Sequence, residues 1–340
     1  NWPIARDGKF KGGVWYEEKG KRMYFMGDLA KRTIGYIKDK TSVGLEGAFD
    51  TLLRGKNGRI MQQRMSGQIW RPIQIGNNQL PVNGKDIVTT LDVRSQDIAQ
   101  YSLQKGLEAE SADHGCVIVM ETKTGAIKAI ANLTRGEDNK YYETQNYAVS
   151  EFTEPGSTFK VVSAIALLED GYVKPTDSID NNWGKWTWYD KPWSDSKKPP
   201  KRFYTLSECL QYSSNIGTSK FVMQHYKKNP KKFTNHILDL GLHLKPKFDI
   251  PSSSNPTVPT PDDASWSGTS LPSLSIGYSS NLSPLQVLML YNTIANKGKM
   301  MQPYMVKEIR LEGQTLSKIE PIVLKEKAFS AATAAAVTNM

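Results

Sequence analysis

A serine and a lysine three residues apart could do chemistry in this chain. Ser157 follows a Pro155-Gly156 turn, and Lys160 stands at the start of an apolar run over 159–168. The run is apolar almost all round, which predicts a buried helix. Residues three apart share one face of a helix, so we expect the lysine amine to lie beside the serine hydroxyl.

The predicted burial of Lys160 gives this pair its chemical interest. Desolvation disfavours the charged amine and lowers its pKa. A neutral amine beside a hydroxyl is a general base next to a nucleophile. Backbone N–H groups at the helix start, including that of Ser157, could also stabilise an oxyanion. The alternative is that Ser157 only caps the helix, a position that serine favours. The pair alone leaves both interpretations open.

Composition and charge exclude several classes of function. The chain has 340 residues, enough for two domains or one large one, and 39% of them are hydrophobic. No stretch of about 18 apolar residues occurs, so no transmembrane helix is expected within this sequence. The net charge of +10 would suit an anionic partner, but the basic residues are scattered and no nucleic-acid motif accompanies them. Nucleic acid is therefore not an expected partner.

Cysteines and histidines point to neither a disulfide nor a metal. Cys116 lies in a strand-like pattern and Cys209 far away in a helical one, so both are predicted to be buried free thiols. The four histidines show no ligand spacing with Cys, Asp or Glu. We therefore expect no metal site.

The hydrophobic pattern changes near residue 85, where we place a domain boundary. Residues 1–85 are rich in Gly, Lys and Arg, which predicts short strands, turns and short helices, one of them from about Leu45. This part shows no nucleophile beside a base and is interpreted as a supporting domain. The second domain, 86–340, opens with a β-branched strand over 86–91.

Longer elements are predicted in the second domain. Asp92 is expected to cap a helix whose apolar positions are Ile98, Leu103 and Leu107. The other predicted elements are strands over 115–120, 126–131, 304–311 and about 319–324, and helices over 218–225 and 285–295. Tryptophans at 183, 186, 188 and 193 mark an irregular stretch, which could wall a substrate groove or pack on the body of the domain.

A second polar motif, Ser213-Ser214-Asn215, follows a helix for which Thr205 and Glu208 predict a capping box. With Ser157 and Lys160, it resembles the first two motifs of penicillin-binding proteins and serine β-lactamases, whose third is Lys-Thr-Gly. The resemblance implies that Ser213 relays a proton and that Asn215 holds a substrate amide and orients Lys160.

The third motif is not found where the family has it. Lys123-Thr124-Gly125 spells it but lies upstream of Ser157, so we interpret it as a hairpin turn. No Lys- or His-Thr/Ser-Gly sequence follows Asn215, and we expect that motif beyond Met340. The chain alone is therefore predicted to be weakly active or inactive, because part of the oxyanion hole would be missing.

Two upstream boxes resemble class B penicillin-binding proteins in particular. Arg22–Gly27 is similar to their Arg-x-Tyr-Pro-x-Gly box, with Phe25 in place of proline, and 44–58 to their Gly-x-Glu…Leu-x-Gly-x-x-Gly box. The run over 27–35 favours the cell-division type over the elongation type. The implied fold is α+β and multidomain. A transpeptidase domain, a mostly antiparallel sheet flanked by helices, would follow an elongated, mixed pedestal domain.

The resemblance implies a peptidoglycan D,D-transpeptidase that works through a serine acyl-enzyme and is a target of β-lactams, in septal wall synthesis. Its implied ligands are stem peptides and β-lactams, and it would need no metal or organic cofactor. A single N-terminal membrane anchor outside this chain would hold the catalytic domain outside the cytoplasm. Division proteins and a glycosyltransferase are the implied partners.

Two other functions remain open. The first is a D,D-carboxypeptidase, a β-lactamase or a β-lactam sensor, in which water resolves the acyl-enzyme. The pedestal boxes argue against it. The second is a non-catalytic wall-binding or division scaffold, which the missing third motif would favour.

Overall fold

The computed structural model describes residues 23–24, 26–39, 41–66, 70–73, 78–252 and 254–340. Arg22 and Phe25 of the first upstream box lie outside the described residues. The α-helices in the described part are, in chain order, α1 (Lys31–Ile34), α2 (Gly44–Ala48), α3 (Asp50–Leu53), α4 (Val93–Glu110), α5 (Tyr147–Ser150), α6 (Lys160–Glu169), α7 (Leu206–Gln211), α8 (Asn215–Tyr226), α9 (Pro230–Asp239), α10 (Ser270–Ser275), α11 (Pro284–Ala295) and α12 (Ala331–Thr338).

The strands of the described residues are short and pair antiparallel in sheets of two or three. They are β1 (Tyr36–Lys38), β2 (Thr41–Val43), β3 (Gln62–Arg64), β4 (Trp70–Pro72), β5 (Asp86–Thr89), β6 (His114–Met120), β7 (Ile127–Arg135), β8 (Tyr141–Tyr142), β9 (Ser178–Asp180), β10 (Lys185–Trp188), β11 (Lys191–Ser194), β12 (Phe203–Thr205), β13 (Met300–Met301), β14 (Val306–Leu311), β15 (Gln314–Lys318) and β16 (Val323–Lys325).

Helix α4 covers the predicted hairpin, which is formed by β6 and β7. Asp92 caps α4 as predicted, because its side chain accepts a hydrogen bond from the backbone N–H of Ser95. Leu103 and Leu107 are buried in the core beneath the helix. Ile98, the third apolar position named from the sequence, is 64% exposed and lies outside this core. The buried stripe of α4 starts at Gln96 and continues through Ala99, Leu103 and Leu107, which leaves Ile98 on the outer face.

Helix α6 lies at the centre of the largest core, as its all-round apolar sequence predicts. It contacts α8, α9, α10 and α12, and seven of its ten residues are buried. Ser157 is not its N-cap, which corrects one alternative from the sequence. It sits in a 3₁₀ turn, Gly156–Phe159, that leads into the helix, and its side chain makes no capping hydrogen bond there.

Several downstream elements agree with the sequence. Thr205 and Glu208 form the predicted capping box of α7, and Ser283 caps α11. The strand predicted over about 319–324 was wrong, since β15 ends at Lys318 and β16 begins at Val323. Pro321 lies between them and has no backbone N–H to offer a strand ladder.

The region before residue 85 contains small paired strands and short helices, and the helix predicted from Leu45 is present as α2. Leu45 is 1% exposed and packs in one core with Ile127 and Val306. This contact joins the region to β7 and β14 of the main body. In the described part of the chain, no helix has both the length and the apolar character needed to span a membrane.

Candidate active site

The turn that carries Ser157 is held against a distant segment of the chain. The backbone N–H of Gly156 donates to the carbonyl of Gly277 over 3.0 Å. The side chain of Glu154 accepts a 2.7 Å hydrogen bond from the backbone N–H of Ser279. Thr153 and Leu282 form an antiparallel bridge just beyond. The start of the turn that carries Ser157 is therefore held in place by residues 277–282, which lie outside α6.

Lys160 lies at the centre of the site and is 1% exposed. Its Nζ atom lies 3.0 Å from the Oγ of Ser157 and 3.0 Å from the Oγ of Ser213. It also donates to the backbone carbonyl of Ser213 over 2.7 Å. The structure thus brings together three of the residues that the sequence predicted for the site.

Burial lowers the pKa of the Lys160 amine to about 8, although the nearby charge of Asp195 and the thiol of Cys209 act in the opposite direction. A large part of the amine is therefore neutral slightly above neutral pH. A neutral amine 3.0 Å from the Ser157 hydroxyl has the distance and the proton affinity of a general base. The arrangement can activate a serine for attack on a carbonyl group.

Ser213 occupies an unusual backbone position. Its φ angle is +53°, in the left-handed region that residues other than glycine rarely adopt. It lies between the end of α7 and Ser214, the N-cap of α8. This conformation allows both its hydroxyl and its carbonyl to contact Lys160.

Asn215 is the first residue of α8, and its contacts differ from the expected ones. Its side-chain amide donates to the carbonyl of Ser194 over 3.3 Å. Among the described residues, the hydrogen bonds of the Lys160 side chain go to Ser157 and Ser213 and not to Asn215. The orientation of Lys160 therefore comes from Ser213, whereas the substrate-binding role of Asn215 stays a prediction.

Asp195 and Asn181 belong to the site, and the sequence analysis missed both. The Oδ2 atom of Asp195 accepts from the Ser214 hydroxyl over 2.9 Å and from the Asn181 amide over 3.0 Å. Its Oδ1 atom accepts a 2.9 Å hydrogen bond from the backbone N–H of Ile216. These partners lie 14, 19 and 21 residues away in sequence, so no local pattern connects them.

The tryptophan-rich stretch forms the hairpin of β10 and β11, in which Trp186 pairs with Trp193. Trp186 and Trp188 pack on the largest core, and the indole N–H of Trp188 donates to the carbonyl of Gly268 over 3.0 Å. These contacts support the packing alternative over a groove wall. The base of the hairpin leads directly to Asp195.

Three other predictions concern a hairpin turn, the two cysteines and metal binding. Lys123–Gly125 occupies the turn between β6 and β7, as predicted. Both cysteines are free thiols as predicted, but only Cys209 is buried and Cys116 is half-buried. Desolvation raises the pKa of Cys116 to about 11 and that of Cys209 to about 12. The described ranges contain no group of three or more His, Cys, Asp or Glu side chains that could hold a metal ion.

A serine in the turn before a core helix, a buried lysine on that helix and a second serine opposite define a class of active-site serine proteins. The chain belongs to the penicillin binding protein transpeptidase domain family, whose model matches residues 115–340. The resemblance drawn from the motifs is therefore confirmed, and so is the transpeptidase-domain part of the predicted fold.

Individual relatives carry the names of class B penicillin-binding proteins. The penicillin-binding protein PbpB of Mycobacterium tuberculosis is 29% identical over 311 residues, which cover 86% of this chain and 44% of that protein. The probable peptidoglycan D,D-transpeptidase PenA of Neisseria meningitidis serogroup A is 28% identical over 296 residues, covering 83% and 48%. The chain spans just under half the length of these relatives.

A solved structure supports the same fold. Penicillin binding protein 3 from Mycobacterium tuberculosis, in its apo form, superposes with a TM-score of 0.76 at 26% identity. The match covers 93% of this chain and 68% of that one. The cell-division type that the sequence favoured is consistent with this neighbour and with a relative named FtsI from Buchnera aphidicola.

Proposed function

We propose that the protein is a peptidoglycan D,D-transpeptidase that cross-links stem peptides through an acyl-enzyme on Ser157 and is acylated by β-lactams, in septal wall synthesis. The contact of the Lys160 amine with the hydroxyls of both Ser157 and Ser213 carries this proposal. It supplies a base for the nucleophile and a path for the same proton toward a leaving group.

In the first step, the Oγ of Ser157 attacks the penultimate D-Ala carbonyl of a donor stem peptide. The hydroxyl proton passes to the neutral amine of Lys160 as the new C–O bond forms. The carbonyl electron pair moves to oxygen, where the backbone N–H of Ser157 helps to hold the oxyanion.

In the second step, the tetrahedral intermediate collapses and the bond to the terminal D-Ala nitrogen breaks. The departing amine takes a proton from the Ser213 hydroxyl, which is replenished from Lys160. Asn215, beside Ser213 at the start of α8, positions the peptide amide of the substrate. The products are free D-Ala and an ester on Ser157.

In the third step, an amine from a neighbouring stem peptide attacks this ester. The amine loses a proton to the Lys160 and Ser213 pair, and the Oγ of Ser157 leaves and takes it back. A peptide cross-link forms and the enzyme is regenerated. This chemistry uses only side chains and backbone groups.

The remaining assignments are part of the same proposal. Residues 1–85 are a pedestal domain, incomplete at its N-terminus, and 86–340 are a transpeptidase domain, incomplete at its C-terminus. A membrane anchor outside this chain places the catalytic domain outside the cytoplasm, with division proteins and a glycosyltransferase as partners. The length of the relatives, about twice the span matched here, supports this part of the proposal.

Labelling with a fluorescent penicillin tests the proposal. The protein expressed from its whole gene should take up one label per chain, and the Ser157→Ala variant should take up none. Ser102→Ala, on the exposed face of α4, is the matched control and should label like the parent protein. A parent protein that takes no label, or a Ser157→Ala variant that still does, would refute the proposal.

Product analysis separates the transpeptidase from its rivals. With a donor stem peptide and an acceptor amine, the transpeptidase should release D-Ala and form the cross-linked product. Release of D-Ala with only the hydrolysed donor would identify a carboxypeptidase. Acylation by penicillin followed by rapid hydrolysis would identify a β-lactamase.

A further inference from the structure

We infer that Asp195 is a positioning residue for this reaction, because its side chain holds the start of α8 so that Ser213 presents its hydroxyl and carbonyl to Lys160. The inference rests on the proposed acyl transfer and assigns a role to a residue outside the two sequence motifs. Asp195 itself is not placed against the substrate. It acts through Ser213.

The hydrogen bonds of Asp195 connect two separate segments of the domain. On one side, its backbone N–H donates to the carbonyl of Gly184 over 2.9 Å, which fixes it at the base of the tryptophan hairpin. On the other side, its carboxylate accepts from the Ser214 hydroxyl and from the backbone N–H of Ile216, both over 2.9 Å. The side chain therefore holds the first turn of α8 to the hairpin.

The partners of this carboxylate are shielded from water. Ser214 is 1% exposed and Asn181 is 0% exposed. A hydrogen bond to a charged group is stronger than a neutral one, and its loss inside a protein leaves the partner unsatisfied. A negative charge is also favourable at the N-terminus of α8, which is a helix of 12 residues. These interactions favour one arrangement of this turn.

The arrangement matters because Ser213 immediately precedes the clamped residue. Its left-handed backbone, with φ at +53°, is intrinsically unfavourable and persists only where the surroundings enforce it. The Ser214 hydroxyl has two further contacts, and its single proton is shared between Asp195 and Asn181. The hydroxyl contacts the Asn181 amide oxygen over 3.0 Å and accepts from the N–H of Gly217 over 2.9 Å. Loss of the Asp195 contact would let Ser213 relax away from Lys160.

The charge of Asp195 has a second effect, on Lys160 itself. Burial lowers the pKa of the amine, while Asp195 and the Cys209 thiol of α7 raise it. The other contacts of the amine, with Ser157 and Ser213, are to uncharged oxygens. Removal of the Asp195 charge should therefore lower the pKa of Lys160. The general base would then become neutral at a lower pH than in the parent protein.

Two variants separate the effect of the Asp195 charge from the effect of its hydrogen bonds to the start of α8. Asp195→Asn removes the charge and one of the acceptors, whereas Ser214→Ala removes the cap and leaves the charge in place. Asp190→Asn is the matched control, since Asp190 lies exposed in the turn of the same hairpin with a φ of +58°, which asparagine tolerates. All three are compared with the protein expressed from its whole gene, and circular dichroism confirms that each folds.

The measurement is the second-order rate of acylation by a fluorescent penicillin between about pH 6 and 10, roughly two units on either side of the Lys160 pKa. Asp195→Asn should slow the plateau rate on the order of tenfold or more and move the acid limb to lower pH. Ser214→Ala should slow the plateau and leave the limb in place. Asp190→Asn should change neither.

The outcomes distinguish this inference from the proposed function. If the parent protein is acylated on Ser157 and Asp195→Asn has the rate and pH profile of Asp190→Asn, the positioning role is wrong and the acyl transfer stands. A slower rate with an unmoved acid limb in Asp195→Asn would overturn the electrostatic part. If the parent protein itself takes no label, the proposed function has failed first.

Discussion

The backbone of Gly277 lies so close to Gly156 that a Cβ atom at position 277 would stand 2.1 Å from the Gly156 carbonyl oxygen. The same two residues share a hydrogen bond from the Gly156 N–H to the Gly277 carbonyl. The position of the Ser157 turn therefore depends on a residue that lies far along the chain, at the end of α10. A substitution that disturbs the packing at Gly277 should therefore also slow the reaction of Ser157.

Gly277→Ala should both destabilise the protein and slow acylation. The φ of Gly277 is +85°, a region unfavourable to alanine, and the new methyl group meets backbone that cannot rotate away. We expect a loss of roughly 2–5 kcal/mol in the free energy of unfolding, from left-handed strain and overpacking together. Denaturant unfolding and penicillin labelling of the same samples measure the two effects.

Gly313→Ala is the control for that substitution. Gly313 also has a positive φ, +81°, but a Cβ atom there would have open space. It should lose only about 1–2 kcal/mol, the cost of the backbone conformation, and label at the parent rate. Equal stability losses for the two variants would show that the close contact at Gly277 is unimportant.

The rate of acylation should depend on pH with a midpoint near 8. The neutral form of Lys160 is the base, and burial lowers the pKa of its amine from 10.5 to about 8. The rate should rise as pH increases through this value and level off above it. Stopped-flow labelling between about pH 6 and 9 covers the transition. A flat profile over that interval would contradict the role of Lys160 as the base.

The same pKa makes a prediction for stability. The folded protein binds the Lys160 proton less tightly than the unfolded chain does, so folding carries its full penalty below about pH 8 and the penalty is relieved as the folded amine loses its proton. The contribution of this group to stability should therefore increase as pH rises from about 8 to 10.5. Lys160→Met, which removes the titrating group, should lack this increase when unfolding is followed by urea titration.

Replacing Ser213 with glycine should cost less stability than replacing it with alanine. Both substitutions remove the hydroxyl, so both should slow acylation by about 10²–10⁴, the usual range for a lost proton-transfer group. Glycine adopts a φ of +53° without strain, whereas alanine does not. The Ser213→Gly variant should therefore melt at a higher temperature than Ser213→Ala. An alanine variant that acylates at the parent rate would remove Ser213 from the proton path.

The parts of the site that the sequence predicts are those set by short-range geometry. Ser157 and Lys160 lie on adjacent turns because they are three residues apart in a helical segment, and an apolar run predicts burial of the lysine. The capping box of Thr205 and Glu208 and the cap of Asp92 were likewise predictable, since each involves residues three apart.

The remaining parts depend on contacts between distant segments. In the sequence, Asp195 is a single acidic residue in a polar stretch. Only the folded hairpin brings it to the start of α8. Ile98 is an apolar position of α4 in the sequence, but only the packed structure shows that it lies on the face turned away from the sheet. The N-cap alternative for Ser157 stayed open because the sequence does not show that a 3₁₀ turn precedes α6.

The carbonyl of Ser213 limits the orientations that the Lys160 amine can take, because it can only accept a hydrogen bond. A charged Lys160 has three N–H groups, and three oxygens lie within 3.0 Å of its nitrogen. A neutral amine has two N–H groups and one lone pair. The carbonyl oxygen can only accept, so one N–H group of the amine donates to it in both protonation states. The lone pair must then point toward one of the two hydroxyls, because a peptide group with no part in the bond changes occupies the third direction.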